Sequence, residues 1–382
     1  MTGPQRPSTV NWTEDDCLHS VRWHSESGAA APSRVVVIDD ETNANHAYRL
    51  ARSGTGLLWR GDYHNARQLL TAIGRRIDRV ATRRGDGSSF AAHRAQRAER
   101  ARILGALIVQ LDDDYSLGLR RAPEVRQACV EAYGEPHDAM CIALTELLGV
   151  ISARQWHEKG VPIPALDARI HPCYGVFSPI RGEYIDLVAR APLHVGARVA
   201  FDLGTGTGVL AALLARRGIG QVTATDINPR AVACSRANIA RLGYREQVDV
   251  VEADLYPSGR ADLIVCNPPW LPGRPSSALE QGVYDEDSQM LHGFLDGLSA
   301  HLAEGGEGWL ILSDLAEHLG ERATDHLAQR FAAAGLRVVD RLDTTPTHRR
   351  SKDPSDRFHA ARSRERTSLW RLRPDDLGMV NP

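Results

Sequence analysis

Residues 198–208 read R-V-A-F-D-L-G-T-G-T-G, and no other stretch of the chain restricts its fold as tightly. A short apolar run that ends in glycines at alternate positions is a strand delivering a bare loop, because glycine turns the backbone sharply and sets no side chain against a ligand. The helix expected at 208–217 then offers free N–H groups at the same point. Several nucleotide-binding folds share such a loop. Here the spacing is G-x-G-x-G, whereas a dinucleotide fingerprint needs G-x-G-x-x-G, so the third glycine arrives one residue early for a pyrophosphate.

Beyond this loop, apolar runs alternate with helical patterns. Strands are expected at 198–203, 221–226, 247–253, 261–267, 308–314, 336–342 and 367–372. Helices fit at 208–217, 229–242, 288–303 and 316–334. That alternation predicts an α/β fold, a parallel sheet with helices on both faces. The last two strands are separated only by a basic segment, 344–366, which suits an antiparallel final strand.

The N-terminal part has a different texture. Residues 1–32 read as a polar leader, and R-V-V-V-I-D-D at 34–40 as a buried strand. Helical patterns fill Asn45 to Leu111, with a loop at 83–89, and resume from Pro123 to Lys159. Three prolines in 160–172 interrupt any helix. The expected organisation is therefore a mostly helical domain at 33–160, suited to substrate recognition, a linker at 161–173 and the α/β domain at 174–382.

The chain's 382 residues suit two domains, and 42% apolar with 25% charged residues is the balance of an ordinary globular protein. The apolar stretch Ile103–Leu111 is far too short to span a membrane, so no membrane partner is expected. The first residues show no basic-then-apolar export pattern, which makes the cytoplasm the expected compartment. Six cysteines form no C-x-x-C pair and read as scattered thiols, so no metal is expected. The net charge of −2 is unevenly spread. Residues 75–105 hold nine arginines against three acids, and 341–382 ten basic residues against six. A basic patch marks either a phosphate-binding surface or simply a solvated helix.

Two carboxylates follow the glycine loop. Asp226 closes the second strand, where an acid accepts the hydroxyls of a ribose. Asp254 follows the third, where an acid can accept from an exocyclic amine of adenine. As a helix cap or turn residue, either would be structural. The fourth strand leads into Asn267-Pro268-Pro269-Trp270. Two prolines fix a rigid extended turn without N–H donors, so its carbonyls and the Asn267 side-chain oxygen converge as acceptors. Trp270 adds a flat face. Such a turn suits the NH₂ of a planar conjugated group, whose lone pair it directs out of the plane.

D-L-G-T-G-T-G, T-D-I-N-P-R-A, E-A-D-L and N-P-P-W, in that order, resemble the class I S-adenosylmethionine-dependent methyltransferases that modify amide or exocyclic amino nitrogens. The nearest likeness is to the release-factor glutamine methyltransferases, over about residues 174–315. The resemblance implies a Rossmann-like seven-stranded sheet with an antiparallel last strand and S-adenosylmethionine as cofactor. It places Asp202, Gly204, Thr205, Gly206, Gly208, Asp226, Ile227, Asp254, Leu255 and Asn267 around the cofactor. Asn267, Pro268 and Trp270 become the catalytic turn, and Phe177, Pro179, Pro269 and Trp270 face the substrate. Trp270 stands where the family usually has tyrosine, and F-S-P-I-R-G-E (177–183) departs from the family's usual proline motif. The implied acceptor is first a protein glutamine side chain and alternatively an adenine or guanine amino group in RNA or DNA. A small-molecule acceptor and a nonenzymatic cofactor-binding protein are the remaining readings. His171, His292, His301 and His318 are expected to be ordinary structural or surface residues, since the transfer needs no dedicated base.

Overall fold

The computed structural model describes residues 8–84 (side chains to residue 81), 89–275, 279–347, 353 and 356–375. The chain divides into two units, Met1–Gln155 and Trp156–Pro382.

In the first unit, residues 9–23 of the expected polar leader form a hairpin, while residues 1–7 lie outside the described residues. Strands β1 (Thr9–Glu14) and β2 (Cys17–Trp23) pair antiparallel, with Glu14 opposite Cys17. The two connecting residues, Asp15 and Asp16, sit at φ 50° and 58°, the backbone of a tight hairpin turn. Val10, Trp12 and Trp23 are buried with Leu58, Ile108 and Cys141. The alternation T-V-N-W-T-E is thus a real strand pattern, with an Asp-Asp turn where Asn-Gly would have announced it.

After β3 (Val35–Ile38) come α1 (Ala44–Arg52), β4 (Gly56–Trp59), α2 (Tyr63–Arg84), α3 (Phe90–Gly105), β5 (Leu107–Leu111), α4 (Arg126–Tyr133), β6 (Met140–Ala143) and α5 (Leu144–Lys159). The sheet order is β1-β2-β6-β5-β4-β3. Helices take up most of residues 33–160, as expected, and between them run three strands, β4 to β6, that the sequence does not announce. Strands β4, β5 and β6 run for four or five almost wholly buried residues, too short for period to separate strand from helix. Helix starts are marked by Asn43, whose side chain accepts from Asn45 N at 2.7 Å, and Ser89, which accepts from Ala92 N at 3.1 Å. Of the loop expected at 83–89, residues 85–88 lie outside the described residues.

In the second unit the expected linker is also folded. Strands β7 (Val161–Ile163) and β8 (Ala168–Ile170) pair antiparallel, and Val161, Ile163, Leu166 and Ile170 join the main apolar core. There follow α6 (Glu183–Arg190), β9 (Val199–Leu203), α7 (Val209–Arg216), β10 (Gln221–Asp226), α8 (Pro229–Arg241), β11 (Val248–Glu252), β12 (Ala261–Cys266), β13 (Leu271–Pro272) and β14 (Tyr284–Asp285). The unit continues with α9 (Gln289–His301), β15 (Leu302–Ser313), α10 (Leu315–His318), α11 (His326–Ala333), β16 (Leu336–Thr344), α12 (His359–Arg362) and β17 (Thr367–Pro374). The helix expected at 316–334 is two, interrupted where Gly320 takes φ 75°.

The large sheet runs β11-β10-β9-β12-β15-β17-β16. Its strands are parallel except β17, which is antiparallel to both neighbours, the seven-stranded arrangement expected of this fold. Side chains alternate between two cores. Ala200, Leu263, Val265, Trp309 and Ile311 face one, while Phe201, Leu203, Ile264, Cys266, Leu310 and Leu312 face the other. Each large apolar side chain fully buried this way contributes about 1.5–3 kcal/mol. Chain order reverses between β9 and β12, and the crevice at that switch point is where such sheets bind ligands. Cys266 at the end of β12 pairs with Leu203 at the end of β9, so the glycine loop and the proline turn emerge side by side.

Much of the C-terminal basic charge is neutralised within this unit. Arg371 and Arg373 both bond the buried Glu307, and Arg341 and Arg366 pair with Asp343. Residues 348–352 and 354–355 of the basic segment lie outside the described residues.

Candidate active site

The loop after β9 is held by a buried acid. Asp202 Oδ2 accepts from Thr205 Oγ1 at 2.6 Å and from Ala211 N at 3.0 Å, tying strand, loop and first helical turn together. Burial raises its carboxyl to about 6, with the charge of Asp226 adding to the effect. Asp202 therefore serves the loop from beneath. Gly204, Gly206 and Gly208 take φ 69°, 56° and 82°, the left-handed region closed to most side chains. At Gly208 a Cβ would stand 2.5 Å from Ser235 Oγ.

Asp226, at the end of β10, reaches the same loop. Its Oδ2 accepts from Gly206 N and its Oδ1 from Asn228 N, each at 2.9 Å. Burial pushes its carboxyl upward. It thus does two jobs, fixing the loop and opening α8 through the turn to Asn228, while each oxygen keeps lone-pair capacity for a ligand hydroxyl. The next side chain, Ile227, is 67% exposed, an apolar surface beside an acid. Ala253 N donates to Asp226 O at 3.2 Å, which brings the end of β11 and the exposed Asp254 beside this corner. Leu255 takes φ 62°, an unfavourable backbone for leucine, and its carbonyl accepts from Thr225 Oγ1 at 2.5 Å. The bare glycines, Asp226 and the exposed isoleucine are the residues here that could hold S-adenosylmethionine.

The turn after β12 holds a contact that its sequence does not announce. Trp270 Nε1 donates to Asn267 Oδ1 at 2.9 Å. One lone pair of the asparagine oxygen is thereby engaged and one is left. Pro268 is buried, and Asn267, Pro269 and Trp270 are half-buried. The indole packs against both cores, so Trp270 is more than a free stacking face. The guanidinium carbon of Arg181 lies 5.4 Å from its ring centroid. Arg322, nearly buried, donates to the Trp270 carbonyl at 3.2 Å and pairs with Glu317 at 3.4 Å. Burial raises the Glu317 carboxyl despite that arginine.

Ahead of the sheet, Pro179 is buried and Phe177 half-buried. Phe177 packs so tightly on Gly282 that a Cβ there would lie 2.6 Å from its own Cβ. Gly282 belongs to the segment between the proline turn and α9, which Asp285 stitches down by accepting from Met290 N and Leu291 N. The Met290 methyl would come within 2.3 Å of a Cβ on Gly204, so this side chain leans on the glycine loop. Sequence reading missed Met290, Arg322 and the part played by Arg181. Only the loop glycines hinted that something must sit close. The four histidines have other surroundings: His171 and His301 bond backbone carbonyls, His292 faces His326 at 3.4 Å, and His318 lies 3.4 Å from Asp314.

The family model for the methyltransferase small domain matches residues 175–334. The tRNA1(Val) (adenine(37)-N6)-methyltransferase of Shewanella amazonensis is 30% identical over 180 residues, 45% of this chain and 73% of that protein. Its namesake from Shewanella sp. strain MR-4 is 30% identical over 144 residues, 35% of this chain and 60% of that protein. The release factor glutamine methyltransferase of Deinococcus radiodurans is 34% identical over 154 residues, 39% of this chain and 55% of that protein. The chain therefore spans about three fifths of the length of several curated relatives. With the glycine loop, the two acids and the N-P-P-W turn at one switch point, it belongs to the class I S-adenosylmethionine-dependent methyltransferases carrying the methyltransferase small domain.

Proposed function

We propose that this protein transfers a methyl group from S-adenosylmethionine to the NH₂ nitrogen of a planar group, and that the acceptor is an amino group of a nucleobase in RNA. The observation that carries the transfer is the meeting of a side-chain-free glycine loop with the Asn267–Trp270 acceptor turn at the ends of paired strands. When bound, the cofactor supplies a methyl already activated on sulfur. Asp226 holds ribose hydroxyls, Ile227 covers the adenine, Asp254 lies by its amino edge, and Gly204, Gly206 and Gly208 leave room for the methionine part. Asn267 Oδ1, through its remaining lone pair, and the Pro268 carbonyl accept the two acceptor hydrogens. This turns the nitrogen lone pair out of the plane. Orientation of this kind is worth several kcal/mol of barrier. The proton leaves once the methylated nitrogen has become acidic, and no side chain need take it first.

The choice of a nucleobase over a glutamine side chain rests on two supports. The relative covered over 73% of its length is named as a tRNA adenine-N6 enzyme. In the first unit, Arg75, Arg79 and Arg97 stand exposed on α2 and α3, while Arg100 and Arg102 are paired with Asp78 and Glu99. Exposed arginines suit phosphate positioning.

The test uses methyl-tritiated S-adenosylmethionine with an extract of cells lacking the protein. Macromolecular label released by nuclease alone is the expected result. Label released by protease alone would transfer the assignment to a glutamine side chain, and no transfer at all would overturn the enzymatic reading.

A further inference from the structure

Glu365 lies in the basic segment 344–366, to which sequence reading assigned no role, and its side chain is fully buried. Its carboxylate gathers donors from distant parts of the unit. Arg181 Nη1 donates to Oε1 at 3.0 Å and Arg181 Nη2 to Oε2 at 3.4 Å. Ser313 Oγ, at the end of β15, donates to Oε1 at 2.8 Å. Two nitrogens on two oxygens fix the plane of the guanidinium as well as its position. That guanidinium lies over the Trp270 ring, and Trp270 in turn donates to Asn267 Oδ1. A cation over an indole face is attractive and holds the ring where it stands.

Contacts therefore run without a break from Ser313 through Glu365, Arg181 and Trp270 to Asn267. Stability alone gives little reason for this arrangement, because a buried ion pair can be replaced by apolar residues at little or no cost. What apolar residues cannot supply is a fixed cation over the ring.

We propose that Glu365 and Arg181 are positioning residues of the methyl-transfer site. They hold the Trp270 indole so that its N–H stays on Asn267 Oδ1 and the remaining lone pair of that oxygen meets the acceptor nitrogen. This rests on the methyl-transfer reading above. It brings Glu365 into the support of the active site and gives the indole N–H of Trp270 a task there.

The test follows the indole ¹⁵N–¹H resonance of Trp270, assigned by its loss in Trp270→Phe, in the full chain. The decisive variant is Arg181→Met/Glu365→Met, which removes both charges together and keeps the volume. It should fold with a melting temperature close to wild type. The Trp270 resonance should shift and its N–H exchange at least about tenfold faster, as expected on loss of a hydrogen bond. The maximal rate of label transfer into extract acceptors should fall at least about tenfold, while KM for S-adenosylmethionine stays within about twofold, the pattern of lost orientation. Arg181→Lys, which keeps the charge and loses the planar fork, should fall between. An unmoved resonance, or full activity in the double variant, would overturn the proposal and leave the pair merely structural. Should the double variant not fold, Ser313→Ala removes one donor to Glu365 and should shift the same resonance in the same direction; no shift there counts against the proposal. A wild-type protein that neither binds the cofactor nor transfers label would defeat the methyl-transfer reading, while the resonance would still decide whether Glu365 and Arg181 set the geometry of the turn.

Discussion

The two sides of the site are built in opposite ways. On the cofactor side the contacts are short in sequence: Asp202 reaches Thr205 and Ala211, three and nine residues on, and Gly206 reaches Asp226 across 20. On the acceptor side Arg322 is 52 residues from Trp270, and Arg181 and Glu365 are 184 apart. The N–H bond from Trp270 to Asn267 is local, as is the pairing of Arg322 with Glu317. The cofactor corner is assembled by one strand–loop–helix unit and its neighbour. The acceptor turn is rigid along its own backbone and takes its orientation from the rest of the unit.

Asp226→Ala should act most strongly, and on the cofactor side. It removes the anchor of Gly206 N and Asn228 N and, on the proposed function, the acceptor for a ribose. Calorimetry with S-adenosylhomocysteine should show affinity reduced roughly 100-fold, since each hydrogen bond to a charged group contributes about 1.5–3 kcal/mol. Gly208→Ala comes next. Its left-handed backbone costs a side chain about 1–2 kcal/mol, and the overlap with Ser235 adds to that, so Tm should fall by about 4 °C or more. Gly218→Ala sharpens this test, because Gly218 has φ 98° with no atom within 4 Å and isolates strain from collision.

Arg322→Met should act on the other side alone. It releases the Trp270 carbonyl and leaves Glu317 buried, and the maximal transfer rate should drop about tenfold with cofactor affinity unchanged. The smallest effect is a pH dependence. The Asp202 carboxyl is raised to about 6 in the folded state, above its unfolded value of about 3.9. The folded chain therefore keeps this proton longer. The associated stability is present in full below about pH 4 and is lost as pH climbs through about 6. Asp202→Asn keeps an acceptor oxygen and should flatten that loss, visible as a denaturation midpoint that falls less than that of wild type between about pH 5 and pH 7.

What the sequence made legible follows the same division. Seven strands, the antiparallel last one and the glycine loop could be read because strand–helix alternation and local turn chemistry carry them. So could Asp226 and the N-P-P-W turn. The hairpin at Thr9–Trp23 was missed because its turn is Asp-Asp, and β7 and β8 because prolines mark interruption more strongly than pairing. Strands β4 to β6 were lost in helical surroundings because four buried residues carry no period. In the site, the bonds of Asp202 to Thr205 and Ala211 and of Trp270 to Asn267 have no signal in the sequence. Met290, Arg322 and Glu365 have no motif of their own. Each matters through a partner that only the fold brings near.

On the proposed function, the Asn267 side chain orients an acceptor NH₂ without contributing to cofactor affinity. The direct measurement is Asn267→Ala, with S-adenosylhomocysteine binding by calorimetry and tritium transfer into extract acceptors measured on the same preparation. Unchanged binding with transfer reduced about 100-fold or more is the predicted result, the size seen when one hydrogen-bonding group is removed from an active site. Transfer at the wild-type rate with binding intact would show that Asn267 does not orient the acceptor.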